Sequence, residues 1–204
     1  MRAYIYWDFL VNSGWGLLAP VFAIFLLQKV AGGNIIEGTR IAGFATLFYW
    51  MTKAVLQIPI GNYLDNHSGE IDDFYFYVVG IFITGLVPFG FLFAFLPWHI
   101  YALQVLHAVG MSMVIPSSYA IVIRHSDKSR EAFEGSLDST LAGIGAGIAG
   151  AIGGIMAGYI GFQVIFILTG ISTLASVLFI FQVRANMTPK GRRKKPIPPP
   201  NIHD

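Results

Sequence analysis

YIYWDFLVNSGWGLLAPVFAIFLL, residues 4–27, decides what kind of protein this is, because a single charge, Asp8, stands in the whole stretch. As a helix rising 1.5 Å per residue it is about 36 Å long, enough to cross a hydrocarbon core about 30 Å thick. Apolar and polar residues do not alternate along it, so it is not a strand of a membrane barrel. It is also too long for the apolar core of a cleavable leader, and no leader is expected ahead of it.

The composition of all 204 residues agrees with that reading. Hydrophobic residues make up 55% and charged residues 12%, about half the charged share of a soluble domain. Seventeen Phe, nine Tyr and four Trp exceed what a water-facing surface uses, so apolar side chains must meet lipid. With no cysteine, disulfides and thiolate metal sites are excluded.

Working outward from the first stretch, further apolar runs fall at about 40–64, 73–96, 99–123, 136–160 and 162–183. Six spans are expected, followed by a basic, Pro-rich tail over 185–204, so the fold class is an all-α integral membrane bundle in residues 1–184. Arg2, Arg124, Lys128, Arg130, Arg184, Lys190, Arg192, Arg193, Lys194 and Lys195 gather on one side, against Lys29 and Arg40 on the other. That asymmetry predicts both termini in the cytoplasm of a cell with an inner or plasma membrane.

The first span reads Asp8-x5-Gly14-x5-Pro20, and the fourth reads Gln104-x5-Gly110-x5-Pro116. The third carries Ile83-Thr84-Gly85 and the sixth Leu168-Thr169-Gly170. These spans enter the membrane from opposite sides, so the matches fit a three-plus-three inverted repeat, although short matches also arise by chance in Gly-rich helices. Matched Gly/Pro interruptions point to a transport site.

Few side chains within the spans carry chemistry. Lys53 lies roughly 20 Å from either interface, farther than its stem can snorkel. It is either a structural lysine held by backbone carbonyls or by Asp8, or a cavity cation that attracts an anion. Asp8, about one turn inside the cytoplasmic interface, is either a cap-like anion or a coupling carboxylate. Asn12, Gln57, Gln104 and His107 add uncharged hydrogen-bonding capacity. Gln104 and His107, three apart, share a helix face, and each serves either as interhelical glue or as a cavity group. Trp15 and Trp50, with Tyr49, can stack on a sugar or a drug, or simply pack. In the fifth span Gly143, Gly147 and Ala151 form one seam of small residues, and Gly150, Gly154 and Gly158 another; such seams let helices approach closely.

Across nearly all of 1–184 the chain resembles the N-terminal half of a major facilitator superfamily transporter. Gln57-Ile58-Pro59-Ile60-Gly61-Asn62-Tyr63-Leu64-Asp65 is similar to that family's loop 2–3 signature, with Asn66, His67 and Ser68 where basic residues usually follow. Gln104-Val105-Leu106-His107-Ala108-Val109-Gly110 resembles its fourth-helix pattern, with Gln104 at the Arg position and His107 at the Gln position. The Gly-rich run ending Gly153-Gly154 is similar to the antiporter signature without its Pro.

The resemblance implies a cavity lined by the first and fourth spans, and a carboxylate on the first span that couples transport to H+ or Na+. It also implies two such halves about an axis along the membrane normal. An identical second copy can occupy the other half, so a homodimer is expected; the alternative is a fragment, or a half that needs another partner chain. Gly61 and Asp65 would then gate the cytoplasmic side, with Asp65 meeting the start of the partner's fifth helix near Gly135 and Ser136. One glycine seam would pack inside the protomer and the other against the partner.

Other matches carry nothing. Gly145-Ala146-Gly147-Ile148-Ala149-Gly150 fits G-x-G-x-x-G, but no strand precedes it. The five His have no ligand spacing, and no cofactor, metal or enzymatic motif is read. The tail run from Lys190 to Lys195 suits anionic lipid, not nucleic acid. The expected function is transport of a small polar organic solute, sugar-like before amphipathic drug-like. A fluorescent reporter fused after Asp204 is expected to fluoresce, and a phosphatase fused there to be inactive; the reverse pattern would overturn the topology.

Overall fold

The computed structural model describes residues 2–66, 70–125 and 131–184, and among these the chain is six helices with no strand. They are α1 (Arg2–Phe25), α2 (Ile35–Asn66), α3 (Glu70–Phe91), α4 (Pro97–His125), α5 (Glu131–Ile160) and α6 (Phe162–Arg184). The basic tail and most of the basic loop between α4 and α5 lie outside the described residues. Helices α1 to α5 are long and apolar enough to cross a bilayer; α6 has 23 residues, with a shorter described apolar run, Phe162–Leu178.

The connections follow local chemistry. A π-helical turn, Leu26–Val30, extends α1, and Gly32 and Gly33 then take positive φ of 57° and 85°, which only glycine adopts without steric cost. Asn34 caps α2 by accepting a hydrogen bond from the Glu37 N–H at 3.1 Å. The third span ends at Phe91, short of the expected residue 96. Leu92, Phe93 and Ala94 bond back three residues to Phe89, Gly90 and Phe91, and Pro97 opens α4, a position where its missing N–H costs nothing. A single residue, Gly161 at φ 82°, joins α5 to α6.

Helix pairing carries the repeat. α1 packs on α5 and α6, α4 packs on α2 and α3, and α3 packs on α6. Exchanging α1 with α4, α2 with α5 and α3 with α6 returns the same set of pairs. The matched residues meet one another across it: Thr169 of α6 donates a 2.9 Å hydrogen bond to the Gly14 carbonyl of α1, and Thr84 of α3 lies against Gly110 of α4, where a Cβ would collide with its hydroxyl. The two contacts are alike in packing and unlike in bonding, because the Thr84 hydroxyl is buried without a partner.

Lipid supplies no hydrophobic drive between helices, so close packing and small residues hold them together. On α5 the packed face is Gly145 against Phe9 and Ser13, Gly150 beside the Gly16 carbonyl, and Gly153 against the Leu17 backbone. Gly143, Gly147, Gly154 and Gly158 face open space instead. Inside the protomer, therefore, only Gly150 of the two expected seams packs; neither seam as a whole lines this contact. Residue numbers on α1 and α5 rise together along it, so the two helices run parallel. Two buried clusters fill the bundle, one around Phe25, Phe91 and Phe166 and the other around Phe74, Tyr77 and Ile81, and Trp15 packs against both.

Gly153→Val is expected to destabilise the bundle by about 1–3 kcal/mol through overpacking against Leu17, while Gly154→Val leaves its unfolding unchanged. Thermal unfolding of both variants in detergent checks this, and equal stabilities would refute the packed face.

Candidate solute-binding site

Three helices place one stripe each around a cavity of about 330 Å³. From α1 come Trp15, Leu18, Ala19 and Phe22; from α2, Thr46, Tyr49 and Trp50; from α4, Gln104 and His107; Phe91 at the end of α3 closes one end. The spacings of three, four and seven residues put each set on one helical face. The volume is that of a site for a small molecule.

Its geometry centres on His107. The imidazole stacks on Trp15 with ring centroids 3.9 Å apart and planes 3° from parallel, and it meets the Tyr49 ring at 4.9 Å, tilted by 44°. Trp50 stands edge-on to Tyr49 at 5.4 Å. One turn further along α2, the Lys53 ammonium lies 4.6 Å from the Trp50 ring centroid and 5.6 Å from that of Tyr49. Cation–π attraction favours both placements. Trp15 Nε1 is buried with no hydrogen-bond partner.

Of the residues expected to bind solute, Trp15, Gln104 and His107 line the cavity and Lys53 sits at its edge. Asn12 and Gln57 are outside the lining. Asn12 Nδ2 instead donates at 2.9 Å to both the backbone carbonyl and a carboxylate oxygen of Asp8. Asp8 and Lys53 do not pair with each other. The electrostatic neighbour of Asp8 is Asp138 on α5, a residue the sequence reading did not single out; its signal is its register, since parallel α1 and α5 bring 8 and 138 to one level. Thr46 was also unrecognised, though it lies three residues before Tyr49 and seven before Lys53. Gly61 lies in ordinary contact range of Pro116 on α4. Asp65 and Ser136 are exposed on different helices, and the Ser136 hydroxyl donates to the Ala132 carbonyl at 2.8 Å. Among the described residues no cluster of three or more His, Asp or Glu is placed to hold a metal.

A bundle of apolar helices with a three-plus-three inverted repeat and an aromatic cavity at membrane depth defines a membrane transport protein. The family model of the Major Facilitator Superfamily matches residues 8–202, and the chain belongs to that superfamily as an integral membrane protein. No curated protein matches the sequence.

The stacked pair ties α1 to α4, and a double-mutant cycle on Trp15→Ala and His107→Ala is expected to give a coupling of about 0.5–1.5 kcal/mol in unfolding measurements. Strictly additive losses would remove the stack as a link between the helices.

Proposed function

We propose that the chain is a half-transporter that works as a homodimer by alternating access, moving a small polar organic solute through a cavity shared by the two copies. The observation that carries this reading is the mouth of the cavity. Ala19, Thr46 and Trp50 on its rim are exposed, Trp50 by 57%, while Gln104 and His107 within make no hydrogen bond among the described residues. Polar groups at membrane depth belong against protein or a water-filled cavity, not lipid, which supports a second protein wall around that cavity. Helices α2 and α5 suit it: only 11% and 17% of their spans are buried, against 50% for α3. Along α5 the outward Gly143, Gly147, Gly154 and Gly158 offer a smooth track on which a partner helix can approach and slide.

In the cycle, Asp65 closes the cytoplasmic side against the start of α5 in the partner, near Gly135 and Ser136, where unpaired N–H groups favour a carboxylate by about 0.3–2 kcal/mol. Asp8, with Asp138 beside it, is the coupling site for H+ or Na+. Both termini lie in the cytoplasm of an inner or plasma membrane, and the 185–204 tail rests on anionic lipid. Ring-stacking walls with Gln104 and Thr46 suit a sugar-like solute. Efflux of amphipathic compounds is the second reading, favoured by the aromatic majority of the lining, although Lys53 at the edge weighs against cationic drugs.

Native mass spectrometry from lipid nanodiscs is expected to give twice 22.4 kDa. Because the chain has no cysteine, Asp65→Cys with Ser136→Cys is expected to yield a cross-linked dimer. A monomer at every protein-to-lipid ratio would sink the homodimer and leave a half that needs a different chain.

A further inference from the structure

We propose that the solute is negatively charged: the cavity takes a small ring-bodied organic anion, a carboxylate on a saturated or aromatic ring, with Lys53 as its counter-charge. This rests on the aromatic cavity being the solute site.

The starting point is an uncompensated cation. Lys53 is half-buried at mid-length in α2, roughly 20 Å from that helix's nearer end. Its stem reaches only part of that distance to an interface. An ammonium has three donors, and among the described residues none of the three finds an acceptor; the recorded neighbours are the faces of Trp50 and Tyr49. The nearest candidate counter-ion on α1, Asp8, is held by Asn12 and faces Asp138. Ring faces attract the ammonium but accept no strong hydrogen bond, so the charge at this depth lacks the partner that a cation in a membrane interior requires.

Its placement says what the partner is. Lys53 continues the α2 stripe of Thr46, Tyr49 and Trp50, so it stands at one edge of the cavity, and His107 is its electrostatic neighbour. Between them and Phe22 and Phe91 the walls are mostly aromatic, which suits a flat or ring-shaped body lying against π faces. Gln104 and Thr46 are left for hydroxyl or carbonyl groups of that body. A cationic solute would meet repulsion from Lys53. A neutral one would leave the ammonium unpaired. An inorganic phosphate would leave the aromatic walls unused. A ring bearing a carboxylate answers the sign of the charge, the faces and the size together, through a charge-assisted hydrogen bond to Lys53 that is stronger than a neutral one.

The test uses full-length protein in nanodiscs and calorimetric binding of two matched pairs, benzoate with benzamide and glucuronate with glucose. At least one anion is expected to bind about tenfold more tightly than its neutral counterpart, with the preference shrinking as salt is raised, absent in Lys53→Gln and kept in Lys53→Arg. Equal binding within both pairs, or a preference that survives Lys53→Gln, overturns the anion proposal. If Lys53→Gln fails to fold, a wild-type preference indifferent to salt overturns it as well. Neutral members binding alone, and losing affinity in Trp15→Ala, would leave the cavity as the solute site while removing the anion. No binding by any of the four compounds would overturn both readings.

Discussion

The bundle depends on how closely other backbones can approach α1 and α4. In water, burying apolar surface would hold six such helices together almost regardless of detail, but lipid tails are as apolar as leucine, and that drive is missing between spans. What remains is contact at short range, and it concentrates at the glycines of these two helices: Gly14 and Gly16 on α1, facing α6 and α5, and Gly110 on α4, facing Gly80 and Thr84 of α3. Once these approaches are made, Trp15 and His107 are brought face to face, and Trp15 joins the two buried clusters that fill the ends of the bundle. The cavity is the space this stack leaves open towards α2.

Much of this was legible in the sequence, for identifiable reasons. Span number, the inverted repeat and the shared face of Gln104 and His107 follow from long apolar runs and fixed helical spacing, which a membrane enforces more strictly than water does, whereas Trp15 joined them only through the family resemblance. The repeat was the more informative signal: Gly14 and Gly110, Thr84 and Thr169 were matched as letters, and in the fold each Thr lies against the Gly of the opposite repeat. Spacing failed on α5. Its glycines and alanines occur on every face, so a small residue recurs every fourth position whichever way the helix is turned, and the packed face built on Gly145 and Gly153 has no distinct pattern. Only the contact with α1 sets the rotation. Asp138 escaped notice for a related cause: its meaning comes from the register of α5 against Asp8, which no local pattern contains.

The fate of Lys53 shows how a three-dimensional neighbour changes the reading of a charge. From sequence, Lys53 was either a structural lysine held by backbone carbonyls or by Asp8, or a cavity cation. In the fold Asp138 of α5 is the electrostatic neighbour of Asp8 where α1 and α5 run parallel, and the lysine faces rings on its own helix. Charges of opposite sign are thus kept apart, acidic at one level and basic at the next. A structural lysine would be tied to the acid, since an unpaired charge of either sign is costly at membrane depth. In the proposed transport reading, that separation leaves the acids to a coupling ion and the lysine to the solute.

That separation gives α1 a particular place in the proposed cycle. The same helix carries Asp8 and, about two turns or roughly 10 Å further along, Trp15, with Asn12 between them. An ion taken up between Asp8 and Asp138 bears on the contact of α1 with α5; a solute lying against Trp15 bears on the contact of α1 with α4 through His107. The α5 contact is close and extensive, with Gly145 against Phe9 and Ser13, Gly150 beside the Gly16 carbonyl and Gly153 against the Leu17 backbone, so a change at Asp8 is passed to the most closely packed helix pair of the bundle. The α4 contact is a parallel stack of two rings, which tolerates little displacement before it is lost. In the proposed cycle, α1 thus joins the candidate ion site on its α5 side to the candidate solute site on its α4 side.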